Sequence, residues 1–498
     1  MPEQPVSAEQ PPTEPLSRSE RRGRLALLAV TLGTGIAILD GSIVNIALRT
    51  IGEDLHASLA DLQWVTNGYL LALASLILVG GALGDRLGRR RMYIVGVVGF
   101  ALCSLLCALA QSPGQLIAAR VAQGVAAAVL TPGSLAIIES SFRVEERAAA
   151  IGWWAGVAGV TTALGPFVGG YLLDHGGWRG IFLINLPLAL AVVVLCRWVP
   201  ESRGDAARHR FDFVGAALCV VGLGALTYAL TVGRVGSGPV VLGTAAVGVA
   251  ALVGFVVVER RPGAMVPTEL FRSRVFTAAN LMTFLVYGAL GSVFFFLVLQ
   301  LQVTSGFSAF QAGLSGLPVT VAMLLLSSRF AALASRTGPR LPMTVGPLVC
   351  AAGVLLLVGV GDGTSYWTGV LPGMVLFALG LSGLVSPLTA AVLAAAPDRY
   401  AGAASGINNA VARAGSLLAV AALPAAVGLS GGDYQRPDML THGYRTVMVI
   451  CAVLLAGGGL VSWFGLRQLP PEITDLCSEK LVGPEPVGPG QVSPRQGR

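Results

Sequence analysis

Charged residues are scarce in this chain of 498 residues. Asp, Glu, Lys and Arg make up 12% of it and apolar residues 54%, which leaves too few charges to cover a water-soluble surface. Lysine occurs once, as Lys480, so no phosphate-binding loop that ends in Gly-Lys-Ser or Gly-Lys-Thr can be present. ATP hydrolysis at a site of that type is therefore excluded as an energy source.

Histidine and cysteine are too few and too dispersed for a metal site. The four histidines form no HExxH pair and no Cys/His cluster with zinc spacing. Most of the seven cysteines lie in apolar runs and none lies in a predicted outer loop, which argues against a disulfide framework. We predict no metal, no cofactor and no enzyme activity; the alternative is a membrane enzyme with carboxylates or histidines converging at one depth.

Long apolar runs are what the sequence does contain. Each has the length, about 20 residues, at which a helix spans the hydrocarbon core of a bilayer. The runs are continuous rather than alternating, which favours helices over a barrel. We predict an all-α integral membrane protein with fourteen transmembrane helices in a 6+2+6 arrangement. The predicted spans are 25–48, 62–83, 92–110, 116–138, 148–173, 181–199, 213–232, 240–258, 278–301, 312–332, 341–360, 370–393, 401–429 and 447–466.

Polar stretches between these runs give the domain boundaries. The tails are rich in Pro, Glu, Ser and Gly, a composition typical of disorder. We predict a disordered cytoplasmic tail at 1–24, an N-terminal six-helix bundle at 25–199, a two-helix insert with its linkers at 200–275, a C-terminal six-helix bundle at 276–467 and a second disordered cytoplasmic tail at 468–498.

Arginine is distributed unevenly between the two sides of the predicted bundle. With the N-terminus inside, the outer loops hold only Arg49, Arg179, Arg234, Arg436 and Arg445, and the inner segments hold most of the others. Cytoplasmic loops retain Lys and Arg, so we predict that both termini are cytoplasmic in a bacterial plasma membrane. The net charge of +7 then reflects topology and does not indicate nucleic-acid binding.

Charged side chains inside the predicted spans are few, and each is costly in hydrocarbon unless it is paired or hydrated. They are Asp40, Arg120 and Arg413, with Glu139 at a cytoplasmic helix end. Asp40 and Arg120 both lie roughly 10 Å below the outer boundary, at 1.5 Å per residue, so they can form a pair. We interpret Asp40 as a proton-binding carboxylate, with a permanent structural ion pair as the alternative. Arg413 is interpreted as structural.

Several motifs in the first 190 residues resemble those of the major facilitator superfamily. Residues 81–91 read GALGDRLGRRR, which resembles its cytoplasmic signature loop. Residues 39–48, LDGSIVNIAL, resemble the first-helix motif of its fourteen-helix drug:proton antiporters, and residues 120–124, RVAQG, the fourth-helix motif. Residues 165–170, GPFVGG, are similar to the fifth-helix antiporter motif, and residues 178–187, WRGIFLINLP, to the sequence that enters helix six.

The resemblance implies a role for each motif. It implies proton coupling at Asp40 and Arg120. It implies that the signature loop is a latch that joins the two halves in the outward-facing state; the latch residues are Gly81, Asp85, Arg86, Gly88, Arg89 and Arg90. It also implies an antiporter helix with a kink and a small-residue face, formed by Gly165, Pro166, Gly169 and Gly170. The second half lacks a good copy of the signature loop.

A substrate cavity is expected between the two halves, largely apolar with a few polar groups. The candidate lining residues are Asn45, Trp64, Asn67, Tyr69, Gln123, Asn280, Tyr287, Asn408, Asn409 and Arg413. No intramembrane acid follows Glu139, and members of the resembled family that take divalent cations often carry extra membrane carboxylates. Monovalent, zwitterionic or neutral substrates are therefore favoured.

The combined prediction is a major facilitator fold that exports drug-like or antibiotic small molecules in exchange for protons, by alternating access of its two halves. The expected partners are a small-molecule substrate, protons and the lipid bilayer, without nucleic acid, and the chain is expected to function as a monomer. Two alternatives remain open. One is a proton-coupled metabolite transporter of the same fold, and the other is a membrane receptor or scaffold, which would not need Asp40 in lipid.

Overall fold

The computed structural model describes residues 15–204, 212–233, 238–261, 266–397 and 400–466, and these residues form sixteen α-helices. In the first half they are α1 Arg21–Asp54, α2 Leu59–Leu87, α3 Arg89–Leu109, α4 Pro113–Ser141, α5 Val144–Gly176, α6 Gly180–Leu183 and α7 Asn185–Leu195. The others are α8 Phe213–Val232, α9 Gly238–Glu259, α10 Arg274–Val303, α11 Ala309–Leu314, α12 Leu317–Thr337, α13 Arg340–Leu357, α14 Leu371–Ala394, α15 Ala401–Ala426 and α16 Pro437–Gly465.

In the described residues these helices form thirteen spans that are long and apolar enough to cross a membrane. Two predicted spans are each built from two helices, α6 with α7 and α11 with α12. The all-helical fold is thus confirmed for the described residues. Helix α5 is 33 residues long but is not among the thirteen, so the full 6+2+6 arrangement of fourteen spans stays a prediction.

Local sequence sets several helix ends. Ser58 and Asp61 form a capping box that begins α2, and Ser112 caps α4 just before Pro113. Pro187 cannot donate a backbone hydrogen bond, and the predicted span 181–199 is interrupted near it, between α6 and α7. The interruption places Asn185 at the first residue of α7.

The N-terminal and C-terminal parts of the bundle, here called the two halves, meet along several pairs of helices. In the N-terminal half α2 packs on α4 and α1 on α5, and in the C-terminal half α10 packs on α15 and α16. Between the halves α1 contacts α10, α2 contacts α15, and α5 contacts α11 and α12. The predicted insert consists of α8 and α9. Helix α8 packs against both α2 and α15, and there Leu71, Leu223 and Leu417 form a small buried cluster.

Hydrogen bonds between the halves join the helix ends that we predict to be outer. Gln63 Nε2 donates to the carbonyl of Val420 at 2.7 Å, Gln302 Nε2 donates to the carbonyl of Ile46 at 2.9 Å, and Ser308 Oγ donates to Asp174 Oδ2 at 3.2 Å. Further bonds link Arg49 to the carbonyl of Gln302, Tyr434 to the carbonyl of Ala57, and Leu59 to the carbonyl of Gly431. These helix ends are therefore closed, and with the predicted orientation this corresponds to an inward-facing arrangement.

The N-terminal segment differs from its prediction as a disordered tail up to Arg24. Residues 1–14 lie outside the described residues, but the Leu16 N–H donates to the carbonyl of Ser141 at 2.7 Å and α1 begins at Arg21. Glu146 accepts from the backbone N–H of Arg18 and from the hydroxyl of Ser17, and these two bonds lower the pKa of that carboxyl. Backbone bonds of this kind have no signature in composition. The tail predicted at 468–498 lies outside the described residues.

Candidate functional site

Asp40 lies at the centre of a buried polar cluster inside the N-terminal half, which we call the Asp40 centre. Arg120 Nη1 donates to Asp40 Oδ2 at 2.5 Å. Gln123 Nε2 and Asn185 Nδ2 donate to Oδ1 at 3.0 and 3.1 Å. Asp40 is 2% exposed and Arg120 1%, so water does not screen the pair. Three donors from two neighbouring helices therefore converge on one carboxylate.

The other contacts of the centre fix its geometry. Ser104 Oγ on α3 accepts from Gln123 Nε2 at 2.7 Å and from Asn185 Nδ2 at 3.1 Å. Arg120 Nη1 also donates to Gln123 Oε1 at 2.6 Å. Arg120 and Gln123 stand three residues apart on α4, which puts both on one helix face toward α1. Four helices therefore converge on Asp40, so its surroundings depend on how these helices pack.

Arg120 is also held by α2. Its Nε donates to the carbonyl of Val65 at 3.1 Å, and its guanidinium carbon lies 4.4 Å from the ring centroid of Tyr69. Gly124 permits this approach of α2 and α4, because a Cβ at that position would lie 2.4 Å from the carbonyl oxygen of Tyr69. The pair expected from residue depth thus exists, and an aromatic face shields it.

Asn185 and Ser104 belong to the Asp40 centre and were not predicted as site residues. Asn185 lies in the motif at residues 178–187, and a polar amide in an apolar span could have marked it as a candidate site residue. Nothing in the sequence marked Ser104 in this way, because serines in membrane helices commonly bond to their own backbone.

A small cavity of about 140 Å³ lies next to the centre, between the two halves. From the N-terminal half its walls include Asn45, Thr66, Tyr69 and Arg120, and from the C-terminal half they include Gly291, Phe295, Ser416 and Val420. Asn45 Oδ1 and Thr66 Oγ1 are buried there without a hydrogen-bond partner among the described residues. The volume suffices for four or five water molecules at roughly 30 Å³ each. Asn45 Oδ1 and Thr66 Oγ1 would form hydrogen bonds to water in this cavity.

Other predicted cavity residues lie apart from the centre. Asn408 Nδ2 donates to Thr283 Oγ1 at 2.8 Å and to Asn280 Oδ1 at 3.3 Å, which ties α15 to α10 inside the C-terminal half. Trp64 packs against the cluster at the insert, and both amide atoms of Asn67 are buried without a partner among the described residues.

The signature loop forms its described contacts within the N-terminal half and with the linker that follows it. Asp85 Oδ1 accepts from Arg89 at 2.8 Å, and the Asp85 carbonyl accepts from Gly204 N–H at 3.0 Å. Gly88 has φ of +111°, and Glu201 caps α3 by accepting the N–H groups of Arg90 and Arg91 at 3.1 Å.

These contacts agree with a released latch. Arg86 is exposed, and a Cβ at Gly81 would lie 3.6 Å from Pro132 of α4. Since the outer ends are closed, the outward-facing state that the latch is expected to join is not the one seen here. The latch role itself stays a prediction.

The glycines of the antiporter helix mark close contacts of α5. A Cβ at Gly165 would lie 2.2 Å from Ser42 Oγ, two residues from Asp40, and one at Gly169 would lie 2.7 Å from Ile43. Gly170 faces the other half, because its Cβ would lie 2.5 Å from Phe310 Cα at the start of α11. Pro166 is in the same helix, but its side chain is outside the described part of the structure. Helix α5 thus contacts both α1, which carries Asp40, and α11 of the other half.

Substitution of Gly170 by Leu should prevent the outer ends from closing. The added side chain meets backbone atoms of Phe310, which cannot rotate away, so we expect the rate of substrate export to fall at least about tenfold, the effect of about 1.4 kcal/mol. Gly176→Leu on the same helix is the control, because nothing lies within 4 Å of its Cβ position. Equal export by both variants would show that Gly170 is not needed for closure.

Comparison with known proteins places the chain in a family. A family model described as "Major Facilitator Superfamily" matches residues 30–420. The chain is 36% identical to the tetracenomycin C resistance and export protein of Streptomyces glaucescens, over 82% of this chain and 76% of that protein. It is 35% identical to the methylenomycin A resistance protein of Bacillus subtilis (89% and 94%), and 37% identical to the multidrug resistance protein Stp of Mycobacterium tuberculosis (80% and 75%).

The solved structures agree at the level of the fold. A bacterial homologue of the human lysosomal transporter Spinster, described as inward-facing and unoccupied, superposes with a TM-score of 0.65 at 17% identity, over 91% of this chain and 99% of that one. A peptide transporter described as autoinhibited gives 0.65 at 17% identity, over 90% and 97%. This chain belongs to the major facilitator superfamily and is a multi-pass membrane transporter rather than an enzyme.

Proposed function

We propose that this protein exports antibiotic-like small molecules from a bacterial cell in exchange for protons. The observation that carries the proposal is the buried Asp40–Arg120 pair, because an ionisable carboxylate inside a membrane span is costly and is retained where it serves transport. The relatives named for resistance to or export of tetracenomycin C, methylenomycin A and several drugs support a cargo of this class.

The proton site is proposed at Asp40. In the arrangement seen here its carboxylate is bound by three donors. The small cavity beside Arg120 is bounded by Val420, whose carbonyl accepts Gln63 in the outer closure. When the outer ends separate, this cavity joins the outer solution, and a proton that reaches Asp40 weakens its bond to Arg120. Changes in helix packing are then coupled to protonation.

Orientation in the membrane is part of the proposal. The distribution of arginine supports cytoplasmic termini, and the bacterial relatives support a location in the plasma membrane. The signature loop then lies on the inner face and the closed contacts on the outer face. A single chain is proposed to carry out the full cycle, because the Asp40 centre and the cavity are formed within it.

The experiment is drug accumulation in a sensitive bacterial host. Cells that express the full chain should accumulate severalfold less tetracenomycin C or puromycin than cells with empty vector, and a protonophore should remove the difference, because it collapses the proton gradient. Equal accumulation with and without expression would contradict export. A difference that persists in the presence of the protonophore would contradict proton coupling alone.

A further inference from the structure

Arg413 lies near the middle of α15, 12 residues after its start, and has no counter-ion in the described structure. None of the ion pairs formed by the described residues includes it, and its Nε atom is buried without a hydrogen-bond partner among them. The described side-chain bonds of the neighbouring amides do not reach it, because Asn408 bonds to α10 and Asn409 to its own helix.

Asp40 does not neutralise this cation. Its carboxylate is already engaged by Arg120, Gln123 and Asn185. Tyr69 and Tyr287 lie near Arg413, and both are uncharged as phenols. The Asp40–Arg120 pair has no net charge, so Arg413 leaves an excess of one positive charge in the middle of the described bundle.

One face of α15 carries Arg413 next to the small cavity between the halves. Ser405, Asn409, Arg413 and Ser416 are spaced by three or four residues, which aligns them along the helix. Ser416, three residues after Arg413, lines the small cavity beside Arg120. Asn409, four residues before Arg413, is exposed. Arg413 therefore lies on the helix face that borders the small cavity.

We propose that Arg413 binds the acidic group of the transported molecule, so that the substrates of this protein include aromatic compounds with a carboxylate, sulfonate or phenolate. A guanidinium offers a planar pair of donors that matches such groups, and an anion replaces the counter-ion that the chain lacks. Tyr69 and Tyr287 supply aromatic faces nearby. The missing intramembrane acids had favoured neutral or zwitterionic cargo; the uncompensated cation extends that class to anions.

The charge moved per cycle differs between the two kinds of cargo. For the same number of protons taken up, export of a monoanion moves one more net positive charge into the cell than export of a neutral molecule does. An inside-negative membrane potential thus drives the anion outward more strongly. The inference rests on the proposed function only in naming the bound molecule as cargo, because binding at Arg413 can be measured on its own.

The test uses purified full-length protein and two fluorescent probes of matched shape, anthracene-2-sulfonate and its neutral sulfonamide. We expect the sulfonate to bind at least about tenfold more tightly than the sulfonamide, equivalent to about 1.4 kcal/mol. Arg413→Gln should bring the two affinities within about threefold, and Arg413→Lys should keep most of the preference. Arg445→Gln removes an exposed arginine and should change neither affinity.

The outcomes separate this inference from the proposed function. Equal binding of both probes, binding of neither, or a preference that survives in Arg413→Gln overturns the inference, even if drug efflux is observed in cells. A preference that Arg413→Gln abolishes, without efflux in cells, supports the anion site and contradicts drug export. If Arg413→Gln unfolds in detergent, as its melting temperature would show, Arg413→Lys and the wild-type probe comparison still decide.

Discussion

Replacement of Asp40 by Asn should abolish export against a concentration gradient while the protein still inserts into the membrane. All three partners of Asp40 are donors, so an Asn side chain turns its amide toward one of them and leaves Arg120 without a counter-ion. We expect export to fall at least about 100-fold, because breaking a buried ion pair costs about 3–5 kcal/mol. The measurement is proton-gradient-driven transport in proteoliposomes.

The control for Asp40→Asn is Asp438→Asn, which removes an exposed carboxylate in the first turn of α16 and should leave export within about twofold, as is usual for surface substitutions. Asp40→Glu keeps the carboxylate and should retain part of the activity. Export at the wild-type level by Asp40→Asn would assign Asp40 to a structural ion pair, which was the alternative from the start.

Replacement of Arg120 by Gln should be the most destabilising single change in the N-terminal half. It leaves Asp40, which is 2% exposed, without its cation, and it removes the bond to the carbonyl of Val65. We expect a loss of about 3–5 kcal/mol in the free energy of unfolding, measured in detergent by chemical denaturation.

The double variant Asp40→Asn with Arg120→Gln tests whether this loss comes from the pair. It contains no buried charge at this position, so it should be more stable than the sum of the single losses predicts, by about 1–3 kcal/mol. The exposed pair of Arg143 and Glu20, with 53% exposure on each side, is the matched comparison, and its coupling should lie below about 1 kcal/mol. Additive losses at Asp40 and Arg120 would mean that the two side chains act independently.

The sequence was sufficient for the fold because hydropathy responds to the thickness of the bilayer. It placed the first span at 25–48, whereas α1 runs from Arg21 to Asp54, since helices continue beyond the hydrocarbon into the polar layers. The pairing of Asp40 with Arg120 could be predicted from depth alone, because two opposite charges at one depth in lipid have few other partners.

Other parts of the site depended on information that a sequence pattern does not contain. Asn185 reaches Asp40 because the chain is interrupted between α6 and α7, and a predicted continuous span conceals that geometry. The predicted latch contact of Asp85 with the other half belongs to one conformational state, whereas a sequence motif is the same in every state. The lack of a partner for Arg413 Nε among the described residues became visible only when the surrounding side chains were in place.

The position of the inserted helix α8 makes the two sides of the transporter unequal toward the lipid. Leu223 of α8 lies against Leu71 of α2 and Leu417 of α15, so the seam between these two helices is covered. The opposite seam, between α5 and α12, is not in contact with the insert among the described residues. A lipophilic compound that approaches the bundle from the lipid therefore meets the inserted helix on the side of α2 and α15, where it would otherwise meet the junction of the two halves.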